Sequence, residues 1–181
     1  MKGVDYLPKS EITNNAERLL INRAMRECKR YAIEVHCSHR QKGGIVDFAT
    51  VEFDTESMIP EITCYEIKVS ESDFNSENGH NLNGDYNYYV LSKDLYDKLR
   101  ANEKYNHLFE DVWYNKIGII TFTEKQMKTV LQAKLLHRYD KYTIEEKMRF
   151  IDNVLLSWTT GSMWKYLKKH GVELRNENVT A

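Results

Sequence analysis

The sequence predicts a layered α/β domain built around a mixed sheet. Three observations carry the prediction. Residues 31–69 hold three successive stretches of alternating apolar and polar side chains, joined by short polar turns, the pattern of an antiparallel meander. Two more apolar stretches, 88–92 and 116–122, are separated by a helical segment, so the chain must cross over and mix parallel with antiparallel pairing. Helical periodicity opens the chain and returns after Thr123. The order is helix, three-strand meander, helix or loop, strand, helix, strand, with added C-terminal helices.

Each element has its own signal. "SEITNNAERLLINRAMRECKRY" places Ala16, Leu19, Leu20 and Ala24 at helical spacing, with Asn14 or Asn15 as the cap. "YAIEVHC" (31–37) alternates as a strand, and "SHRQKGG" (38–44) turns the chain on a Gly pair. "IVDFATVEF" (45–53) completes the hairpin. Pro60 opens the third strand, 61–69. "SESDFNSENGHNLNGDYN" is polar and rich in Asn, Gly and Ser, and reads as an irregular stretch or a short helix plus loop. "YYVLS" is a buried strand, "KDLYDKLRANE" a helix, and "KIGIITF" a further strand. From Thr123 the pattern reads as three helices, "TEKQMKTVLQAKLLHRY", "TIEEKMRFIDNVLLSWTT" and "SMWKYLKKHG". Thr143 and Glu146 have capping-box spacing, and Gly171 can stop the last helix. Residues 1–122 form the core, and 123–181 a helical extension packed on the same domain.

The chain has 181 residues, 41% of them hydrophobic, enough for one domain with a real core. Apolar runs such as "GIITF" fall far short of the roughly 18 residues that span a bilayer. "MKGVDYLPKS" has no apolar leader region. Three cysteines, an odd number, argue against a disulfide framework and for a reducing cytoplasm, that of a bacterium or a phage-infected cell. Residues 1–123 carry 15 Lys and Arg against 20 Asp and Glu, while 124–170 carry 10 against 5. An acidic part joined to a basic one suits a metal site beside a polyanion-binding surface, or a solvated helical face.

"ITCYEIKVS" poses a charge problem. On a strand, Glu66 and Lys68 share one face inside an apolar run. Burying both without function is costly, at several kcal/mol per ion. In the preceding strand, Asp47 is the acid of "IVDFA", just after the Gly pair. If strands 45–53 and 61–69 pair, Asp47 falls near Glu66 and Lys68. Two converging carboxylates repel unless a cation joins them, and a hard divalent ion with oxygen ligands, Mg²⁺ or Mn²⁺, does so. Lys68 then adds a fixed positive charge that can orient water or stabilise a phosphate. Glu17, on the first helix, could be aimed at the same point, but the residues alone leave it one surface acid among many.

Asp47, an 18-residue spacer and Glu66-Ile67-Lys68, following a helix with Glu17, resemble the PD-(D/E)XK nuclease superfamily. The element order is similar too. "SDF" at Ser72–Phe74, "GHN" at Gly79–Asn81 and "NYYV" at Asn87–Val90 resemble the phage and bacterial branch related to MmcB-type DNA-repair proteins. The resemblance covers residues 13–122. Val46 stands where the superfamily's name has proline. The resemblance implies a restriction-endonuclease-like core and metal-dependent hydrolysis of phosphodiester bonds in DNA. It implies metal ligation by Asp47, Glu66 and the Ile67 carbonyl, water positioning by Lys68 and assistance from Glu17. The expected partner is nucleic acid, most directly DNA, with no membrane association; a homodimer is compatible with it. The rival reading is an inactive nuclease fold that binds DNA or a protein partner.

His80 and Asn81 could contact phosphate, or could serve hydrogen bonds inside their loop. Arg40 and Lys42 could touch a nucleic-acid backbone from the first turn, or be solvated turn charges. Lys125, Lys128, Lys134 and Arg138 fall partly along one helical face, a phosphate-tracking stripe or ordinary surface. Tyr86, Tyr88 and Tyr89 could stack on bases but at strand spacing fit core packing better. Cys64 reads as a small core residue. The Cys and His residues show no Cys-x-x-Cys pair, so zinc is not expected. Trp158 and Trp164 read as buried anchors between the last helices.

Overall fold

Ser10 starts the first helix, α1 (Glu11–Arg26), by accepting the Thr13 N–H at 3.2 Å. A computed structural model of the chain describes residues 10–37, 44–53, 60–76, 80–110, 116–135 and 144–159. The helix therefore begins ahead of the expected Asn14 or Asn15 cap, and both asparagines lie inside it. Asn15 instead donates to the Thr123 carbonyl at 3.1 Å. Ala16, Glu17, Leu20, Ile21 and Ala24 recur every three or four residues and form the buried stripe.

Six strands follow in sequence and in space: β1 (Arg30–Cys37), β2 (Gly44–Phe53), β3 (Pro60–Lys68), β4 (Tyr86–Ser92), β5 (Gly118–Phe122) and β6 (Met127–Leu131). β1, β2 and β3 are the antiparallel meander. β4 and β5 add in parallel through helical crossovers. The first crossover holds α2 (Glu71–Phe74). The second holds α3 (Lys93–Arg100), a 3₁₀ turn (Glu103–Tyr105) and α4 (His107–Glu110). Ser70 and Ser92 cap α2 and α3.

β6 corrects the helix expected over Thr123–Tyr139. Thr123 and Gln126 close a tight turn, with the Thr123 N–H donating to the Gln126 carbonyl at 2.9 Å. Met127–Leu131 then pairs antiparallel with β5. Met127, Thr129 and Leu131 are partly buried while Lys128 and Val130 are exposed, a period of two inside a window that also fits 3.6. The open edge of β5 decided between the two periods. Residues 123–131 thus belong to the same sheet as the core. The helix expected over residues 143–160 is present as α5 (Ile144–Thr159). Thr143, Arg138, the last expected helix with Trp164, and Gly171 lie outside the described residues.

The sheet separates two apolar layers. On one face α1 packs on Tyr31, Ile33, Phe48, Tyr65, Ile67, Tyr88, Val90, Ile120 and Phe122. On the other face Phe150, Ile151 and Val154 of α5 cover β1–β3, including the buried Cys64. Leu95 and Leu99 of α3 cover Tyr89, Leu91 and Ile119. Tyr88 and Tyr89 are core residues, and Tyr86 is half-buried. α5 also guards the β1 edge: Asn153 donates to the His36 carbonyl and Trp158 Nε1 to the Tyr31 carbonyl. Lys147 pins it to the sheet by reaching both Asp85 oxygens at 2.7 and 2.8 Å. Among the described residues no helix is long and apolar enough to cross a membrane.

Candidate functional site

The site lies where the meander comes apart. β1 and β2 pair continuously except at one step, Glu34 opposite Asp47. Glu34 holds φ at +51°, the left-handed region that non-glycine residues rarely adopt. The alternation reverses there. Ile33 and Phe48 pack on the α1 side, yet Val35 and Val46 pack with α5, although each is two residues from one of them. β2 and β3 pair from Phe53–Pro60 up to Phe48–Tyr65 and part at the next position, Asp47 and Glu66.

Asp47 fills the parting. Its Oδ2 accepts the Ile67 N–H at 2.8 Å, replacing the lost backbone partner. A strand residue's N–H and C=O point to the same edge, so the Ile67 carbonyl faces the same gap. β3 remains paired with β4 through Lys68, so its other edge is held firm.

Glu66 is fully buried. It sits between the two apolar clusters of the α3–α5 face, since Tyr65 and Ile67 take the α1 side. Its Oε1 accepts the Asn81 N–H at 3.1 Å. Its Oε2 has no hydrogen-bond partner among the described residues. Burial and then the Asp47 carboxylate push its pKa up to about 8, against the opposing pull of Lys68 and the Asn81 N–H. With that value Glu66 keeps its proton at neutral pH. Lys68 is 3% exposed, and its ammonium lies 3.5 Å from Asp73 Oδ1. Asp73 Oδ2 in turn accepts the Val69 N–H.

The structure brings Asp47, Glu66, Ile67 and Lys68 together. Glu17 is not the surface acid that the residues alone suggested: it is fully buried, on the α1 face that packs on the sheet. That face meets Tyr65 and Ile67, opposite to Glu66. Among the described residues no three His, Cys, Asp or Glu side chains gather as a metal-holding group. His80 spends both ring nitrogens inside the fold. Nε2 donates to the Ser76 carbonyl at 3.0 Å, which leaves Nδ1 to accept the Tyr89 hydroxyl at 2.8 Å. Its ring also meets Phe74 edge-on. Asn81 likewise serves neighbours, Glu66 and the Ile45 carbonyl. Arg40 and Lys42 lie outside the described residues.

The donors fit a hard divalent cation. Mg²⁺ commonly takes one or two carboxylates, keeping waters for the rest. Asp47, Glu66 and the Ile67 carbonyl supply oxygen only, and a cation at Glu66 Oε2 would displace the proton that Glu66 holds at neutral pH. Sequence reasoning did not assign Asp73 its contact with Lys68, although "SDF" marked it. It also did not foresee that the Asn81 amide packs against Gly44, where a Cβ would stand.

No family model matches the chain, and no curated protein matches it. Among solved structures, a protein of unknown function from Silicibacter pomeroyi (SPO1766) is similar, with a TM-score of 0.54 at 13% identity. The match covers 96% of this chain and 100% of that one. At this identity the likeness speaks to fold alone: a mixed α/β domain, its sheet flanked by helices.

Proposed function

We propose that this protein is a metal-dependent nuclease that hydrolyses phosphodiester bonds in DNA on a restriction-endonuclease-like core, in phage or bacterial DNA processing. One observation carries the reading: Asp47 and a fully buried Glu66 converge where β2 and β3 part, with Lys68 two residues further along. A structural role alone gives no reason to set a second carboxylate against a buried one. Asp47, Glu66 and the Ile67 carbonyl would hold Mg²⁺ or Mn²⁺, which supplies Lewis-acid polarisation of the phosphate and an acidified water. The chain's own contribution is positional. Asp47 fixes the β3 edge through the Ile67 N–H. Asn81 fixes one oxygen of Glu66. Lys68, steered by Asp73, keeps an ammonium where phosphate charge would build.

Cleavage of single- and double-stranded DNA with Mn²⁺ tests this. Asp47→Ala and Lys68→Ala should each lose about 100-fold or more while keeping the wild-type circular dichroism. Wild-type rates in either variant would refute the assignment. A second reading, a nuclease fold that binds DNA or a protein without cutting, draws on one fact: Asp47 and Lys68 already serve protein partners, the Ile67 N–H and Asp73. It predicts DNA binding that Asp47→Ala leaves intact, with no cleavage by wild type.

A further inference from the structure

We propose that Asn81 is a positioning residue for the carboxylate pair, acting as a latch across the gap between β2 and β3, with Gly44 as its keyhole. The inference rests on the nuclease reading for its purpose but on separate contacts for its geometry. Three observations meet at one side chain. The Asn81 N–H donates to Glu66 Oε1 at 3.1 Å. Its Nδ2 donates to the Ile45 carbonyl of β2 at 2.9 Å. A Cβ placed on Gly44 would stand 2.1 Å from Asn81 Oδ1 and 2.4 Å from its Cγ.

The latch spans the place where ladder hydrogen bonds are missing. β2 and β3 stop pairing at Phe48–Tyr65, so residues 44–46 have no β3 partner in the ladder and are held to β3 next to Glu66 by the Asp47–Ile67 bond. Asn81 adds a second tie, joining β2 at Ile45 to the buried Glu66 carboxyl. It engages only one carboxyl oxygen and leaves Oε2 without a partner among the described residues. A ligand pinned through one oxygen presents the other in a fixed direction, and such outer contacts commonly carry roughly 10–100-fold in metal affinity. A side chain at position 44 would begin where the Asn81 amide lies, so it would push that amide out of place.

The test compares wild type, Asn81→Ala, Gly44→Ala and the double variant by Mn²⁺ calorimetry. It adds amide hydrogen exchange at residues 67 and 81 in metal-free protein. Asn81→Ala and Gly44→Ala should each weaken Mn²⁺ binding about tenfold or more and speed exchange at residue 81. The double variant should be no worse than Asn81→Ala, because removing the amide makes room for the methyl group introduced at position 44. Full Mn²⁺ affinity in Asn81→Ala would overturn the proposal, and so would additive losses in the double variant. If wild type binds no Mn²⁺, the nuclease reading fails on its own, and exchange then decides the latch. Faster exchange at residue 81 in both single variants supports it, and wild-type protection refutes it.

Discussion

Burial and the neighbouring Asp47 carboxylate push the Glu66 pKa up to about 8, well above the ordinary 4.5 of a glutamate. Between these values the folded chain binds the proton that the unfolded chain releases. The stability linked to Glu66 is therefore fully present below pH 4.5 and is lost as pH rises through 8. Metal-free protein should lose melting temperature from about pH 4.5 to about pH 8 through this group. Glu66→Gln, which keeps an acceptor for the Asn81 N–H and never ionises, should flatten that slope; an equally steep slope in the variant would assign the pH dependence elsewhere. A cation must displace the same proton, so Mn²⁺ affinity should rise with pH and level off above about 8. That Glu66 and Lys68 sit in an apolar run, and so that their burial needs explaining, was legible in "CYEIKVS". The bonding of His80 inside its loop was one of the two readings the residues offered, but the contact of Asn81 with Glu66 was not legible. Asn81 serves the site through its own backbone N–H, which every residue but proline possesses and which side-chain chemistry does not reveal.

Among the elements, β1 and β2 carry the unusual feature, the paired break at Glu34 and Asp47. A left-handed Glu costs about 1 kcal/mol relative to Gly, whereas Gly meets no Cβ penalty there. Glu34→Gly should therefore be more stable than Glu34→Ala by about 1 kcal/mol in urea unfolding, a comparison that cancels the lost side chain. Equal stabilities would mean that residue 34 relaxes out of the left-handed region. The alternation in "YAIEVHC" located β1 but concealed its reversal, because Ile33 and Val35 are both apolar and either register satisfies the pattern. β6 was missed for a related reason. "MKTVL" fits a helical stripe and an edge strand equally, and only the open edge of β5 selects the strand. β2 and β3 were legible as strands, but the reversal of β2 at Asp47 was concealed in the same way, because Val46 and Phe48 are both apolar.

At the scale of the molecule, α5 and the sheet are one body. Lys147 and Asp85, each 5% exposed, form a bidentate ion pair between α5 and the entry to β4. Lys147→Ala would strand a buried carboxylate and should cost about 3–5 kcal/mol. Unfolding should remain a single transition, whereas two transitions would make α5 an independent unit. The charge split along the sequence was legible, but its meaning was not. Lys125 lies in the turn before β6, Lys128 on β6 and Lys134 beyond it, so the helical face offered for them does not form, and Arg138 lies outside the described residues. The central claim is that the convergence of Asp47 on the buried Glu66 serves a divalent cation. Its most direct test is a calorimetric Mn²⁺ titration of wild type against Glu66→Ala at physiological salt and about pH 8, where Glu66 begins to release its proton. The account predicts binding to wild type that disappears in the variant. Equal binding by both proteins, or none by folded wild type, would contradict it.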